Sequence, residues 1–368
     1  MNNRNNILDI SKAIAMIFIV IGHVVQRSIS GYTSNWISSF FLVAGIPIYF
    51  LISGIAINYR KVLTPLGFLY DVVKRALMYM LPVVLFLLLR VTFYKQWEDF
   101  PTAFSGFIDY PGWGLWALWL IVWYNALVDI ALLVSYFLPK WRKLIISITF
   151  VIAFIIFIVL RNQNVIETYH FIGYDYFVIY TPIFFIGYLL GDKIFTYINK
   201  WVSIIVSVLA LAGIIVITRL STPFYSNGYH VEEHLYIFYL ASLCAFGFYY
   251  GISTLLDKVK FGKYVGFCGR FTLECYFLHL VLIKNWGNIR QENPWLTTLF
   301  AIGLTLLCLV NTAAVVAILY FIPFGHFLMF GRHYSFYKFE NRIFDKLKEI
   351  CTKDYFKKNN DNINNITQ

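Results

Sequence analysis

The first apolar run of the chain carries three ionisable side chains whose spacing places them on one helical face. Asp9, Lys12 and His23 lie within the segment LDISKAIAMIFIVIGH. At about 100° per residue, Lys12 and His23 point within about 20° of each other, and Asp9 lies about 40° from His23. The helical rise separates Lys12 from His23 by roughly 16 Å, so the two side chains cannot touch. They could serve opposite ends of one long ligand.

The spacing alone leaves two interpretations of this face open. Asp9 and Lys12 are three residues apart, a separation at which a carboxylate and an ammonium pair on a helix surface. They would then mark a membrane interface, and His23 would be a hydrogen-bonded histidine near the outer end. In the functional interpretation, ionisable groups inside an apolar segment mark a binding or catalytic site.

Later apolar runs also contain polar residues. His279 lies in GRFTLECYFLHL, where a buried histidine bonded to a carbonyl is an alternative to catalysis. Arg90 could extend its head group to the membrane surface. Asp129 and Asn125 share another run, and the sequence offers no evident partner for Asp129.

A tryptophan stripe precedes and enters the fourth apolar run. Its members recur at spacings of three, three and four residues: Trp113, Trp116, Trp119 and Trp123. An aromatic belt at the membrane interface explains the stripe, and stacking against a sugar is the functional alternative. No spacing of Cys and His residues predicts a metal site.

The composition defines the class of protein that must hold these residues. Of 368 residues, 60% are hydrophobic and only 13% are charged, whereas soluble domains contain about 25% charged residues. A soluble enzyme, a disordered scaffold and a disulfide-rich secreted domain are thereby excluded. The sequence predicts an integral membrane protein.

About ten stretches approach the roughly 20 apolar residues that a membrane-crossing helix needs. They do not alternate as transmembrane β-strands do, so the predicted fold is an all-α, polytopic bundle. The predicted spans are 7–26, 36–57, 77–94, 114–138, 144–160, 176–190, 201–218, 235–255, 271–285 and 296–322.

Positive charges give the predicted orientation. With a cytoplasmic N-terminus and ten spans, 23 of the 30 Lys and Arg residues fall on the cytoplasmic side, as the positive-inside rule requires. Both termini are therefore expected in the cytoplasm, and topology with anionic lipid contact explains the basic charge without nucleic acid. We expect a membrane domain over 1–334 and a basic cytoplasmic tail over 335–368 whose end is disordered. The expected location is the bacterial inner membrane.

Four elements occur in the order of a known family's motifs. They are a Lys and a His separated by ten residues (Lys12, His23), the segment GIPIYFLISG, a basic cluster before a proline (Lys74, Arg75, Pro82), and a Gly–hydroxyl–Tyr–His series (Gly269, Thr272, Tyr276, His279). With these elements the chain resembles the bacterial membrane acyltransferase 3 family, which O-acylates surface glycans. One departure is Met78, where the family has a second Arg.

The resemblance implies a membrane O-acyltransferase, with acetyl as the default acyl group. It would move the acyl group from cytoplasmic acetyl-CoA to a hydroxyl of a surface polysaccharide or its lipid-linked precursor. His23 would act as general base, since histidine titrates near neutral pH. A covalent acyl-histidine relay stays open.

The resemblance also implies roles for the other candidates. Lys12, Lys74 and Arg75 would meet the CoA phosphates, because cations bind phosphate by charge-assisted hydrogen bonds. Asp9 would hold Lys12 or Arg4 in place, and His279 would either support the thioester carbonyl or bond the acceptor. Three further candidates for acceptor contact are Trp116, Trp119 and Arg90.

Two other classes of protein fit the composition. A transporter, such as a flippase for lipid-linked sugars, would explain the spans and the outer aromatics, but not Lys12 and His23 on one face. A membrane assembly or anchoring partner without chemistry would pair its intramembrane charges structurally. In that case His23→Ala would alter folding rather than activity.

Overall fold

A computed structural model of the chain describes residues 5–28, 36–57, 63–94, 116–162, 174–191, 199–220, 235–283, 293–331, 336–343 and 345–346. These residues are helical apart from caps and turns, and they contain no strand. Their main helices are α1 (Asn6–Ser28), α2 (Trp36–Ile57), α3 (Pro65–Tyr94), α4 (Trp116–Phe137), α5 (Arg142–Asn162), α6 (Tyr174–Leu190), α7 (Lys200–Leu220), α8 (Leu235–Asp257), α9 (Lys260–Cys268), α10 (Thr272–Leu282), α11 (Pro294–Phe321) and α12 (Gly325–Phe330).

The described helices indicate a multi-pass membrane protein and confirm the all-α prediction. Within the described ranges, seven helical segments are long and apolar enough to cross a membrane, and Tyr176–Leu190 is a shorter apolar helix. An α-helix suits this environment because it satisfies its backbone hydrogen bonds internally. The predicted number of ten spans and the cytoplasmic location of the termini stay predictions. The predicted domain boundary at residue 334 lies outside the described residues.

Short polar side chains define the beginnings of several helices. The Asn5 side chain accepts a hydrogen bond from the Ile7 N–H at 3.0 Å. The Thr64 hydroxyl likewise accepts from the Gly67 N–H at 3.0 Å, immediately before Pro65 begins α3. Such caps satisfy amide groups that have no partner within the helix.

Because it begins at Pro65, α3 is longer than the apolar run at 77–94. The basic cluster Lys74 and Arg75 consequently lies within the helix. The 30 residues of α3 extend over about 45 Å, more than the roughly 30 Å of a bilayer core. The helix therefore begins well before its apolar part.

The chain divides into two compact units, and the first comprises residues 1–58 and 179–313. Within it α1 packs against α2, α8, α9 and α10. The α2 and α6 backbones approach closely, because a Cβ at Gly54 would collide with the Phe184 carbonyl oxygen and one at Gly187 with that of Leu51. Small residues at such crossings are typical of membrane helix pairs.

The second unit comprises residues 59–178 and 314–368. In it α3 packs against α4 and α12, and α4 packs against α5. Gly331 ends α12 with φ of +60°, a conformation that favours glycine, and it lies directly against the α3 backbone at Leu77.

Candidate functional site

Two histidines that are distant in sequence face each other in the first unit. The rings of His23 on α1 and His279 on α10 stack, with centroids 5.4 Å apart and planes at 29°. His279 is fully buried, whereas His23 is half-buried. The Tyr276 ring lies beside them, 5.7 Å from His279.

Helix α10 fixes the tautomer of neutral His279. Its Nδ1 lies 2.9 Å from the Cys275 carbonyl oxygen, one turn earlier in the same helix. A carbonyl oxygen only accepts, so the proton of neutral His279 is on Nδ1 and the lone pair is on Nε2. In this state Nε2 accepts a proton or a hydrogen bond.

A side chain of α1 orients His23 in the same way. Nδ1 of His23 lies 2.9 Å from Oε1 of Gln26, three residues later. With the amide in this orientation, Nδ1–H donates to Gln26 and Nε2 carries the lone pair. A neutral imidazole whose other nitrogen is held by a hydrogen bond is suited to act as a general base.

Lys12 and Asp9 lie toward the other end of α1. The Lys12 Nζ is 3.7 Å from the Asp9 carboxylate, with 28% of the Lys12 side chain and 4% of the Asp9 side chain exposed. The Tyr49 hydroxyl of α2 donates to the Lys12 carbonyl at 2.6 Å. A Cβ at Gly269 would collide with the Asp9 carbonyl oxygen. The start of the Gly–Thr–Tyr–His series thus packs directly onto α1 beside the Asp9–Lys12 pair.

Apolar packing surrounds the interval between Lys12 and His23. The shared core of α1, α10 and α11 includes Met16, Val20, Val24, Cys275 and Cys308. Apolar surroundings strengthen electrostatic interactions relative to water. On either side of this apolar interval, α1 carries the half-buried ammonium of Lys12 and the half-buried imidazole of His23.

The second unit contains a separate cluster around Arg75. Its Nε lies 3.4 Å from Asp129 of α4, and its Nη1 donates to the Asn125 side chain. Its Nη2 lies 3.7 Å from Asp71, one turn earlier on α3. Asp129 is 1% exposed, so Arg75 supplies a counter-charge to a carboxylate whose partner was not evident from the sequence.

The remaining candidates lie in the second unit. Lys74 is exposed, with its ammonium 5.9 Å from the centre of the Tyr70 ring. Trp116 stacks on Tyr176 at 4.2 Å between ring centroids, and Trp119 is half-buried. The Arg90 side chain and all of Trp113 lie outside the described residues.

Three residues that contact Arg75 were not among the main candidates from the sequence. Asp71 precedes Arg75 by four residues, and this spacing on α3 would have indicated the pair. Asn125 and Asp129 are also four residues apart, but no spacing rule links them to Arg75, some 50 positions earlier. In the part of the chain that the structure describes, no three His, Cys, Asp or Glu side chains form a group that could hold a metal ion.

Comparison with known protein families gives a match over most of the chain. A family model described as an acyltransferase domain, of the acyltransferase 3 type, matches residues 5–320. No curated protein matches significantly, and no solved structure does so. The matched range includes both histidines and the Arg75 cluster.

Proposed function

Because the chain belongs to the acyltransferase 3 family, we propose that this membrane acyltransferase O-acylates a surface glycan. The acyl donor is cytoplasmic acyl-CoA, with acetyl-CoA as the first choice. The acceptor is a hydroxyl of a surface polysaccharide or of its lipid-linked precursor, and the protein works in the bacterial inner membrane. Family membership favours acyl transfer over sugar transport.

The observation that carries the proposal is the stacked pair of His23 and His279, 5.4 Å between ring centroids. Each histidine has Nδ1 in a hydrogen bond, so in the neutral tautomer the lone pair that can take up a proton is on Nε2. A helix that carries one of these bases together with Lys12 can hold the two ends of an extended donor. The roughly 16 Å along α1 between the two residues accommodates the arm that joins a thioester to its nucleotide.

In the proposed reaction His23 Nε2 removes the proton from the acceptor hydroxyl. The oxygen attacks the thioester carbonyl and forms a C–O bond, and collapse of the tetrahedral intermediate breaks the C–S bond. The His23 imidazolium then returns the proton to the CoA thiolate. Proton transfer of this kind contributes about 10²–10⁴-fold to a rate.

His279 suits contact with the acceptor better than support of the thioester carbonyl. A neutral histidine that donates Nδ1–H to the Cys275 carbonyl has only an acceptor at Nε2. Such a nitrogen bonds a hydroxyl proton, but it cannot donate to a developing oxyanion. We therefore assign His279 to accepting a hydrogen bond from a neighbouring hydroxyl of the acceptor, with His23 as the base for the reacting hydroxyl.

The test compares the wild-type protein with His23→Ala in whole cells at matched membrane levels. Base-labile O-acetyl groups are quantified on the purified surface polysaccharide and on its lipid-linked precursors. We expect the wild type to add acetyl and His23→Ala to lose about 10²-fold or more of that activity. The amount of glycan should not change.

Ile17→Ala is the matched control, because Ile17 lies on the same helix with 36% of its surface exposed. This variant should retain wild-type acetylation. If neither wild type nor variant acetylates the glycan, but exported glycan falls when the gene is removed, transport replaces acyl transfer. Full activity of His23→Ala would remove His23 from the reaction.

A further inference from the structure

The Arg75 cluster contains two carboxylates with different surroundings. Asp129 is 1% exposed and belongs to a neighbouring helix, whereas the Asp71 side chain is 21% exposed and lies on the same helix as Arg75. The two carboxylates and one guanidinium have a formal charge of −1. In this arrangement Arg75 is surrounded by negative charge, although the family resemblance implies that it meets a CoA phosphate.

The three nitrogens of the Arg75 guanidinium face three different partners. Helix α4 contacts two of them: Nη1 donates to Asn125, and Nε lies 3.4 Å from the Asp129 carboxylate without a hydrogen bond to it. Asn125 and Asp129 are one helical turn apart, so one face of α4 supplies both contacts. The amide of Asn125 is itself held, because its Nδ2 donates to the Ile121 carbonyl at 2.7 Å.

The third nitrogen has a weaker contact. Nη2 lies 3.7 Å from Asp71, which is beyond ordinary hydrogen-bond distance. Partly exposed ion pairs at i, i+4 contribute little stability. A phosphate oxygen on Nη2 would form a shorter, charge-assisted bond, and the exposed Lys74 adjoins Arg75 in the sequence.

We propose that Asp71 is the carboxylate that a phosphate of the acyl donor replaces on Arg75, while Asn125 and Asp129 are positioning residues that hold the guanidinium ready. This inference rests on the proposed function, because it takes the donor to be acyl-CoA. The shared chemistry is a phosphate anion, which either CoA or an anionic lipid headgroup could supply. Of these two sources, we take the phosphate of the acyl donor as the one that binds Arg75.

The experiment measures CoA binding calorimetrically by the purified full chain in phosphatidylcholine nanodiscs. Asp71→Asn should bind CoA about two- to fivefold more tightly, since it removes a competing carboxylate of modest strength. Asn125→Leu should bind about fivefold or more weakly, because it removes the anchor without changing charge. Asn125→Ala serves the same purpose if the leucine variant does not fold.

Pantetheine, which carries no phosphate, separates this role from a general structural one. All variants should bind pantetheine as the wild type does, and the gain in Asp71→Asn should shrink as salt rises. A general change of folding would alter both ligands alike and would overturn the inference. Equal or weaker CoA binding by Asp71→Asn would also overturn it.

Added phosphatidylglycerol distinguishes the lipid source. If Asp71→Asn retains this lipid more tightly while its CoA affinity equals that of the wild type, the site binds a headgroup and the inference is wrong. Failure of the proposed function looks different, because the wild type itself would then neither bind CoA nor transfer an acyl group. A wild type that does both, with Asp71→Asn showing no gain, contradicts only the present inference.

Discussion

The geometry of Lys12 is compatible with both of its interpretations, an interface pair with Asp9 and a contact with the acyl donor. Lys12 pairs with Asp9 at 3.7 Å, as the interface interpretation predicted, yet more than a quarter of its side chain stays exposed on the helix that carries His23. Partly exposed ion pairs are weak. The pair with Asp9 therefore positions the Lys12 ammonium and still allows it to bind a phosphate. Pairing and donor binding are therefore compatible.

Replacement of Lys12 separates these roles. Lys12→Ala should weaken CoA binding by the purified protein roughly three- to tenfold, because a cation next to the phosphates is lost. Lys12→Arg should be milder, since it keeps the charge at the same depth. Affinity is measured in detergent alongside thermal unfolding, and an unchanged affinity for Lys12→Ala would remove Lys12 from the donor site.

At the residue scale, sequence predicts pairs within a helix better than pairs between helices. The Asp9–Lys12 pair follows from a spacing of three, and the Asp71–Arg75 pair could have been found from a spacing of four. No local rule links Arg75 to Asp129 or His23 to His279, because both contacts depend on how distant helices pack. The family resemblance predicts roles for both His23 and His279, and the contact between their rings is what the spacing of residues could not indicate.

At the scale of elements, hydropathy located the helices but not all of their ends. The second apolar run, 36–57, coincides with α2. The third, 77–94, misses the first turns of α3, because Pro65 and the Thr64 cap begin the helix in a segment that Asp71, Lys74 and Arg75 interrupt. The ninth, 271–285, begins on the last residue of a 3₁₀ turn, Gly269–Phe271, and its helix ends earlier, at Leu282. Hydropathy measures partition into lipid, whereas caps and turns determine where a helix begins and ends.

The crossing of α2 and α6 gives a prediction at this scale. Gly54→Ala should lower the stability of the protein by about 1–3 kcal/mol, because the added methyl group meets the Phe184 backbone rather than a movable side chain. Gly303→Ala on α11 is the matched control, since a Cβ there meets nothing within 4 Å. Thermal unfolding in detergent measures both variants, and equal midpoints would contradict the close approach.

For the whole molecule, the proposed chemistry connects the orientation of the chain to the side from which the donor enters. Cytoplasmic acyl-CoA can reach Lys12 at the start of α1 only if that end faces the cytoplasm. The distribution of Lys and Arg predicts this orientation, and it places the turn at 139–141 before α5 on the same side. The direction of acyl transfer across the membrane thus depends on a prediction that cysteine labelling can test.

Single cysteines in a cysteine-free background test the orientation of the whole chain. Lys140 is exposed in that turn, and Asn293 is exposed just before α11. In intact cells whose outer membrane is permeable to the reagent, a membrane-impermeant maleimide should label Asn293→Cys, and it should label Lys140→Cys only after the inner membrane is opened. These sites belong to segments that the positive-inside rule assigns to opposite sides, so each is the control for the other. Labelling of Lys140→Cys in intact cells would reverse the topology, and Lys12 would then face away from cytoplasmic acyl-CoA.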